Sequence, residues 1–496
     1  QSFLMLLLEG ALHLPDSEMR CCVPVFISIM PHSSGKLSRL QKALSRQGIQ
    51  VSYRDNIYQI HNEQAAATIL LPDSLPLEHK AVSQLLDFAS VADPQGHGAV
   101  CKACATPDFH PGSIAPVGAV VATSPDFVIP AAIGTDINCG IRLLSTGLTQ
   151  AQAELHKSTI VQRLTRVILQ NGRDVPVRSA GFKALFDEGP EAFIEQLPDV
   201  GLWQGVNRDR LQAELAECIG LQGFAGQSRY APEALLQARE LLRPPSAADL
   251  GSGNHFLEFC VVDEIYDRHA AYAAGLKKGD VTVMIHSGSR DVGFYVGRRW
   301  MELARQQWPQ GIKHPQHGLY GLSGALAQDY LQAMGVAARY AWFNRMALAE
   351  LVRKELAGIA APDASRLIVD VPHNVVMTEG EFNVHRKGST PAHDGQWALI
   401  PGSMGDYSFL VKGLGHEDWL RSCSHGAGRQ VRRQDTRRMK QPLVESVWQC
   451  ITLREERLIE EAPSAYKPVG PVLQAQEEAG LIRASVRLKP WLTFKA

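Results

Sequence analysis

Several signals that would classify a protein at once are missing from this chain. It has no long apolar run: Phe3 to Leu8 is the nearest thing to one, six residues long, where a membrane-spanning helix needs about 20. No basic segment precedes that run, as one would in a secretory leader, and the chain opens on Gln1 rather than Met, as a trimmed start would. The expectation is a protein that works without a membrane. Neither a Gly-x-Gly-x-x-Gly fingerprint nor a Walker loop occurs, which removes the familiar nucleotide-binding folds. Internal repeats and low-complexity tracts are absent as well.

Cysteine is sparse and irregular, nine in 496 residues, which does not suit a secreted disulfide framework and points to reduced thiols in the cytoplasm. Charge of one sign is not in excess, with 50 Lys and Arg against 51 Asp and Glu. The whole chain therefore lacks the electrostatic footprint of a nucleic-acid binder. A local basic run does exist, at Arg429, Arg432, Arg433, Arg437, Arg438 and Lys440, and its position next to a histidine cluster suits a phosphate track.

What is present is an ordinary globular composition, 45% hydrophobic and 20% charged, in a chain long enough for a large core. Residues 1–95 carry weak signals: short apolar stretches such as Ala66 to Leu71, Pro-containing turns and an extra-looking segment near 35–60. From about residue 105, β-prone runs alternate with Gly-rich polar clusters. Val117 to Ala122, Phe256 to Val262, Val281 to Ile285, Leu367 to Val371 and Trp397 to Ile400 read as buried strands. Residues 149–170 and 324–358 read as helices, the second with one mostly buried face. Strands and helices without a regular βαβ rhythm predict a complex α+β fold: residues 96–496 as one catalytic domain of mixed sheets surrounded by helices, with 1–95 packed on it.

A lone histidine is usually a surface or core residue, and His13, His61, His79, His156, His269, His314 and His317 read that way. Others sit in clusters of small and polar residues. Asp136 and Cys139 are spaced to face one ion, and a thiolate beside a carboxylate suits Mn or Fe. The glycines around Asn254, His255 and Glu258 allow close backbone approach to a ligand, although strict strand alternation would turn His255 and Glu258 to opposite faces. His286-Ser-Gly-Ser-Arg290 joins an imidazole to the chemistry of a phosphate cradle. His373-Asn374 ends a strand. His385-Arg-Lys-Gly388 together with Pro401-Gly-Ser-Met-Gly405 suits a polyphosphate or RNA backbone. In Ser424-His425-Gly-Ala-Gly-Arg429, small residues leave room against the imidazole. Cys101-Lys-Ala-Cys104 lacks a second pair at zinc-finger spacing and reads as structural, as does the adjacent pair Cys21-Cys22.

In this order, the stretches PDFHPG (107–112), DINCGIR (136–142), GSGNHFLE (251–258), HSGSR (286–290), HN (373–374), HRKGS (385–389), IPGSMG (400–405), SHGAGR (424–429) and EAPSAYK (461–467) resemble the RtcB family of RNA-splicing ligases. The resemblance covers roughly residues 105–496. It implies a ligase that uses GTP and two Mn²⁺ ions to join 2′,3′-cyclic phosphate or 3′-phosphate RNA ends to 5′-hydroxyl ends. On that basis Asp136, Cys139, His255, His286 and His373 are metal ligands, with Cys139 bridging, and His425 is the guanylylated nucleophile oriented by Asp108. The guanosine pocket would use Asn254, Glu258, Asn374, Pro401, Ser403, Met404, Ser408, Gly426, Ala427, Gly428, Tyr466 and Lys495. Arg290, Arg386, Lys387 and Arg429 would meet RNA phosphates. Departures from the pattern, such as Ser113-Ile-Ala after PDFHPG, suggest a divergent paralogue acting in RNA repair or tRNA splicing. The alternative is a metal-dependent phosphoesterase that opens cyclic phosphates or other esters without ligating.

Overall fold

Alternating runs punctuated by turn residues become two large sheets in the computed structural model, which describes residues 39–431, 448–455 and 463–496. His13, Cys21, Cys22, the run Phe3 to Leu8, the basic residues Arg432, Arg433, Arg437, Arg438 and Lys440, and the first two residues of EAPSAYK lie outside the described residues. The described residues belong to one unit, and no helix among them is long and apolar enough to cross a membrane.

The first sheet has seven strands, in the order Gln50–Arg54, Ile57–His61, Ala66–Leu70, Val100–His110, Val117–Thr123, Phe382–Lys387 and Asn374–Glu379. Three of its strands come from the weakly patterned region before residue 95. Its first hairpin turns on Asp55 and Asn56, both left-handed at φ 52° and 63°, the two-residue turn that Asp and Asn tolerate best after glycine.

The second sheet has eight strands. Leu367–Pro372, Gly140–Thr149, Asp280–Ser287, Phe256–Ile265, Ile482–Lys495, Ser408–Gly413 and Trp397–Ile400 run in that order, and Gln449–Thr452 pairs alongside Ile482–Lys495. Period-two alternation divides its residues between two cores. Val283 and Ile285 face a cluster shared with Tyr340, Phe343 and Leu348, while Met284, Cys260 and Val262 face the opposite side.

The helix Gly324–Glu355 is 32 residues long and buried on all sides from Ala333 to Val352. This corrects the expectation of a single buried face. Alanines and glycine on what would be its polar side let neighbouring segments close over it, and a helix enclosed on every side is a core helix. The expected helix at 149–170 is instead broken at His156. Thr149 and Gln152 cap its first segment reciprocally, and the second, Lys157–Leu164, continues into a π-turn at Thr165–Leu169.

Candidate active site

Antiparallel register decides where the reactive residues fall. Gly140 pairs with both Ser287 and Pro372, and Phe256 pairs with His286. Cys139, His286, His373 and His255 therefore stand at or beside four neighbouring strand ends, though their numbers span nearly half the chain. His373 is also the single residue between Pro372, on the edge of the eight-stranded sheet, and Asn374, on the edge of the seven-stranded one. The site lies where the two sheets meet. The seam is fastened by His373 N–H donating to Cys139 O at 2.8 Å and Asn138 N–H to Asn374 O at 2.8 Å.

The segment before Cys139 has to turn sharply. Asn138 takes a left-handed φ of 52°, and its Nδ2 donates to Ala338 O on the long helix at 2.7 Å. Asp136 comes so close to Gly288 that a methyl group there would lie 2.1 Å from its Oδ1, so only glycine fits in HSGSR at that point.

The donors of this group converge. Cys139 Sγ is 3.2 Å from His255 Nε2 and 3.2 Å from His286 Nε2. His286 Nε2 is 3.2 Å from His373 Nε2, and His255 Nε2 is 3.1 Å from Asp136 Oδ2. Ligands about 2.1 Å from one tetrahedral ion would be on the order of 3.4 Å apart. Cys139, His286 and His373 form one potential metal-holding group, and Asp136, Cys139 and His255 a second; the two share the cysteine sulfur.

Burial, followed by the neighbouring imidazoles, holds His286 and His373 well below the ordinary histidine range. Both rings are therefore neutral, and two neutral rings can share only one N–H between facing nitrogens. The remaining lone pairs point at common positions, and the set of sulfur, nitrogen and carboxylate donors fits a borderline-to-hard divalent ion. Burial also pushes the Cys139 thiol well above its usual value and Asp136 adds to this, while Arg345 and Lys387 pull it down; a bound cation would favour the thiolate.

Across the cavity stands His425, its ring centroid 4.6 Å from that of His373. Its Nδ1 donates to Asp108 Oδ2 at 2.6 Å, and its backbone N–H donates to the same oxygen at 3.3 Å. Asp108 is fully buried, and its other oxygen accepts from Thr106 Oγ1 at 2.6 Å. Burial alone would raise the Asp108 carboxyl, but the hydrogen bond and charge of His425 and the bond from Thr106 outweigh it and hold it below the ordinary range. An ionised Asp108 fixes the proton on Nδ1 and leaves the lone pair on Nε2. The His425 loop can approach because Gly428, at φ 79°, has no side chain; a methyl group there would sit 2.4 Å from Asp108 O.

Both groups line one cavity of roughly 340 Å³, within the usual range of ligand sites. Asn254, Glu258, Asn374, Lys387, Pro401, Ser403, Met404, Gly426, Ala427, Gly428, Arg429, Tyr466 and Lys495 complete much of its wall. His255 and Glu258 both reach it, because His255 stands just ahead of the strand Phe256–Ile265 and escapes its alternation. Burial pushes Glu258 up to about 7, against the opposing effect of its bond from Thr493; Thr493 Oγ1 donates to Glu258 Oε2 at 2.5 Å. Tyr466 donates to Asn254 Oδ1 at 3.1 Å, and the Arg429 guanidinium lies 4.8 Å over the Tyr466 ring.

Four expected residues fall outside the lining. Asp108 stands behind His425. Ser408 accepts from Gly402 N–H at 3.2 Å and so braces the loop instead of facing the cavity. Arg290 donates to Asp249 at 2.9 Å and lies 3.4 Å from His255 Nδ1, backing that ring. Arg386 is fully buried and committed to Glu379 at 2.6 Å and Ser422 at 2.8 Å. An ion-paired arginine sealed from solvent cannot meet an RNA phosphate, so that expectation is corrected. His385 likewise accepts from Ile129 N–H at 2.9 Å inside the sheet.

The sequence reading missed three groups near the site. His110 and Thr493 line the cavity. His110 Nδ1 donates to Asp108 O at 2.7 Å, and burial drops its pKa to about 4. Lys467 donates to Pro107 O at 3.0 Å and Phe109 O at 2.5 Å. Strand spacing could have found Thr493, which shares a face with Lys495 two residues on.

Comparison with known proteins identifies the family. Residues 84–496 match the family described as tRNA-splicing ligase RtcB. A tRNA-splicing ligase RtcB of Pyrobaculum aerophilum is 33% identical over 429 residues, spanning 77% of this chain and 85% of that protein. The Aeropyrum pernix protein of the same name is 32% identical over 86% of this chain and 94% of its own length. Archaeoglobus fulgidus has another, 32% identical over 84% of this chain and 90% of its length. The chain belongs to the tRNA-splicing ligase RtcB family.

Proposed function

We propose that this protein is a GTP- and Mn²⁺-dependent RNA ligase that joins 3′-phosphate or 2′,3′-cyclic phosphate ends to 5′-hydroxyl ends through a guanylylated His425. The observation that carries the reading is the Asp108–His425 pair facing the Cys139 donor cluster across one cavity. Asp136, Cys139, His255, His286 and His373 would hold two ions, with Cys139 between them. Bound there, such ions would polarise phosphoryl oxygens and offset repulsion between anionic reactants.

Asp108 keeps the proton on Nδ1 while Nε2 of His425 attacks the α-phosphorus of GTP. An N–P bond forms, the bond to the leaving pyrophosphate breaks, and Asp108 balances the positive charge on the ring. A 2′,3′-cyclic phosphate end would first add water, breaking its 2′-ester bond to give the 3′-phosphate. An oxygen of the RNA 3′-phosphate then attacks the GMP phosphorus, the N–P bond breaks, and His425 is restored. Attack by the 5′-hydroxyl on the activated phosphorus forms the phosphodiester and releases GMP. Asn254, Glu258, Asn374, Ser403, Tyr466 and Lys495 would receive the guanosine, and Lys387 and Arg429 would meet phosphate.

The test is incubation with α-labelled GTP and Mn²⁺. Acid-labile label should appear on the wild type and vanish in His425→Ala. If the wild type takes no label with any divalent metal but still cleaves cyclic phosphates, the phosphoesterase reading replaces this one.

A further inference from the structure

The long helix carries an arginine that no step above uses. Arg345 is 1% exposed, and its guanidinium reaches three separate segments. Nη1 donates to Asn138 O at 2.6 Å and to Ser287 O at 3.0 Å. Nη2 and Nε donate to Asp370 Oδ1 at 2.7 and 3.0 Å. Asn138 immediately precedes Cys139, Ser287 immediately follows His286, and Asp370 shares a strand with the residue preceding His373.

We infer that Arg345 is a positioning residue for the metal centre: one planar fork fixes the backbone segments that deliver Cys139, His286 and His373 against a single helix. The inference rests on the metal-centre reading above. A lysine would not substitute, because its ammonium is a point donor that cannot hold a carboxylate edge and two carbonyls in one plane.

Behind the fork, charge is balanced along a buried chain. Asp370 also pairs with Arg142 at 3.0 Å, and Arg142 with Glu214 at 3.4 Å. Glu214 pairs in turn with Arg353, Arg353 with Glu350 at 2.5 Å, and Glu350 with Arg210 at 2.6 Å. A buried ion pair is weak evidence for stabilisation, since desolvation can exceed the attraction. A merely stabilising role would also leave unexplained why two acceptors of Arg345 are the carbonyls next to proposed ligands. Arg353, between Glu214 and Glu350 in that series, touches no such segment.

The experiment compares Arg345→Lys with Arg353→Lys in the full-length, metal-stripped protein, measuring Mn²⁺ affinity by calorimetry and the melting temperature without metal. Arg345→Lys should weaken Mn²⁺ binding by roughly 10- to 100-fold. Arg353→Lys should lower the melting temperature while leaving Mn²⁺ affinity at the wild-type value. Wild-type affinity in Arg345→Lys, or equal weakening in both variants, overturns the inference. A wild type that binds no Mn²⁺ removes the metal-centre reading itself, a separate failure that takes the inference with it. Should Arg345→Lys unfold before titration, Asp370→Glu, which keeps both charges and displaces the fork, replaces it with the same two outcomes.

Discussion

In the proposed function the two nitrogens of His425 have different jobs, and Asp108, bonded to Nδ1, decides which is which. Asp108→Asn keeps the shape but can present its NH₂ to Nδ1, which would move the ring proton to Nε2. Guanylylation should then slow by roughly 10²- to 10⁴-fold while Mn²⁺ affinity stays unchanged, measured as label incorporation beside a metal titration. Equal losses in both would mean that Asp108 supports the whole cavity instead. Glu258 makes a pH prediction. Its pKa rises from the ordinary 4.5 to about 7 in the fold, so the fold prefers its protonated form. That contribution to stability is complete below about pH 4.5 and is lost as pH rises through 7. Metal-free Glu258→Gln should therefore lose less stability than the wild type across that window in denaturant titrations. Parallel curves would refute a shifted Glu258.

At the scale of elements, the site depends on two loops pressed against strand ends. Gly288→Ala should displace Asp136 and weaken Mn²⁺ binding. Gly428→Ala should push the His425 loop off Asp108 and suppress guanylylation with metal binding intact. Label should thus fall in Gly428→Ala with Mn²⁺ affinity unchanged, whereas in Gly288→Ala it should fall together with Mn²⁺ affinity and recover at saturating Mn²⁺; a loss of Mn²⁺ affinity in Gly428→Ala would count against this division. The same elements show what a sequence discloses. Runs such as Val281 to Ile285 were legible because a strand buried on both faces is apolar at nearly every position, Thr282 being the exception here. His255 and Glu258 were misjudged because alternation begins only at Phe256. Arg386 looked like a phosphate ligand because sequence lists its charge without Glu379, which reaches it across a hairpin. The long helix hid its full burial because alanine reads as neutral on either face. Arg345 carried no local signal, since its meaning lies in three distant acceptors.

For the whole molecule, a site assembled from distant segments ties ligand binding to folding. An ion held only by the native arrangement stabilises it by mass action, about 2.7 kcal/mol at a hundredfold excess over its dissociation constant. Mn²⁺ should accordingly raise the melting temperature of the stripped protein in a concentration-dependent way, and Cys139→Ala should abolish most of that rise. An undiminished rise in the variant would place the ion elsewhere. The seam at His373-Asn374 has another consequence. Most of the donor cluster belongs to one sheet, and the aspartate that sets the His425 tautomer belongs to the other. A chain with only one sheet formed would own either the donors or the oriented nucleophile, never both. On the proposed function, half-folded copies would be chemically silent toward nucleotide, and no GTP would be consumed until the two halves had docked.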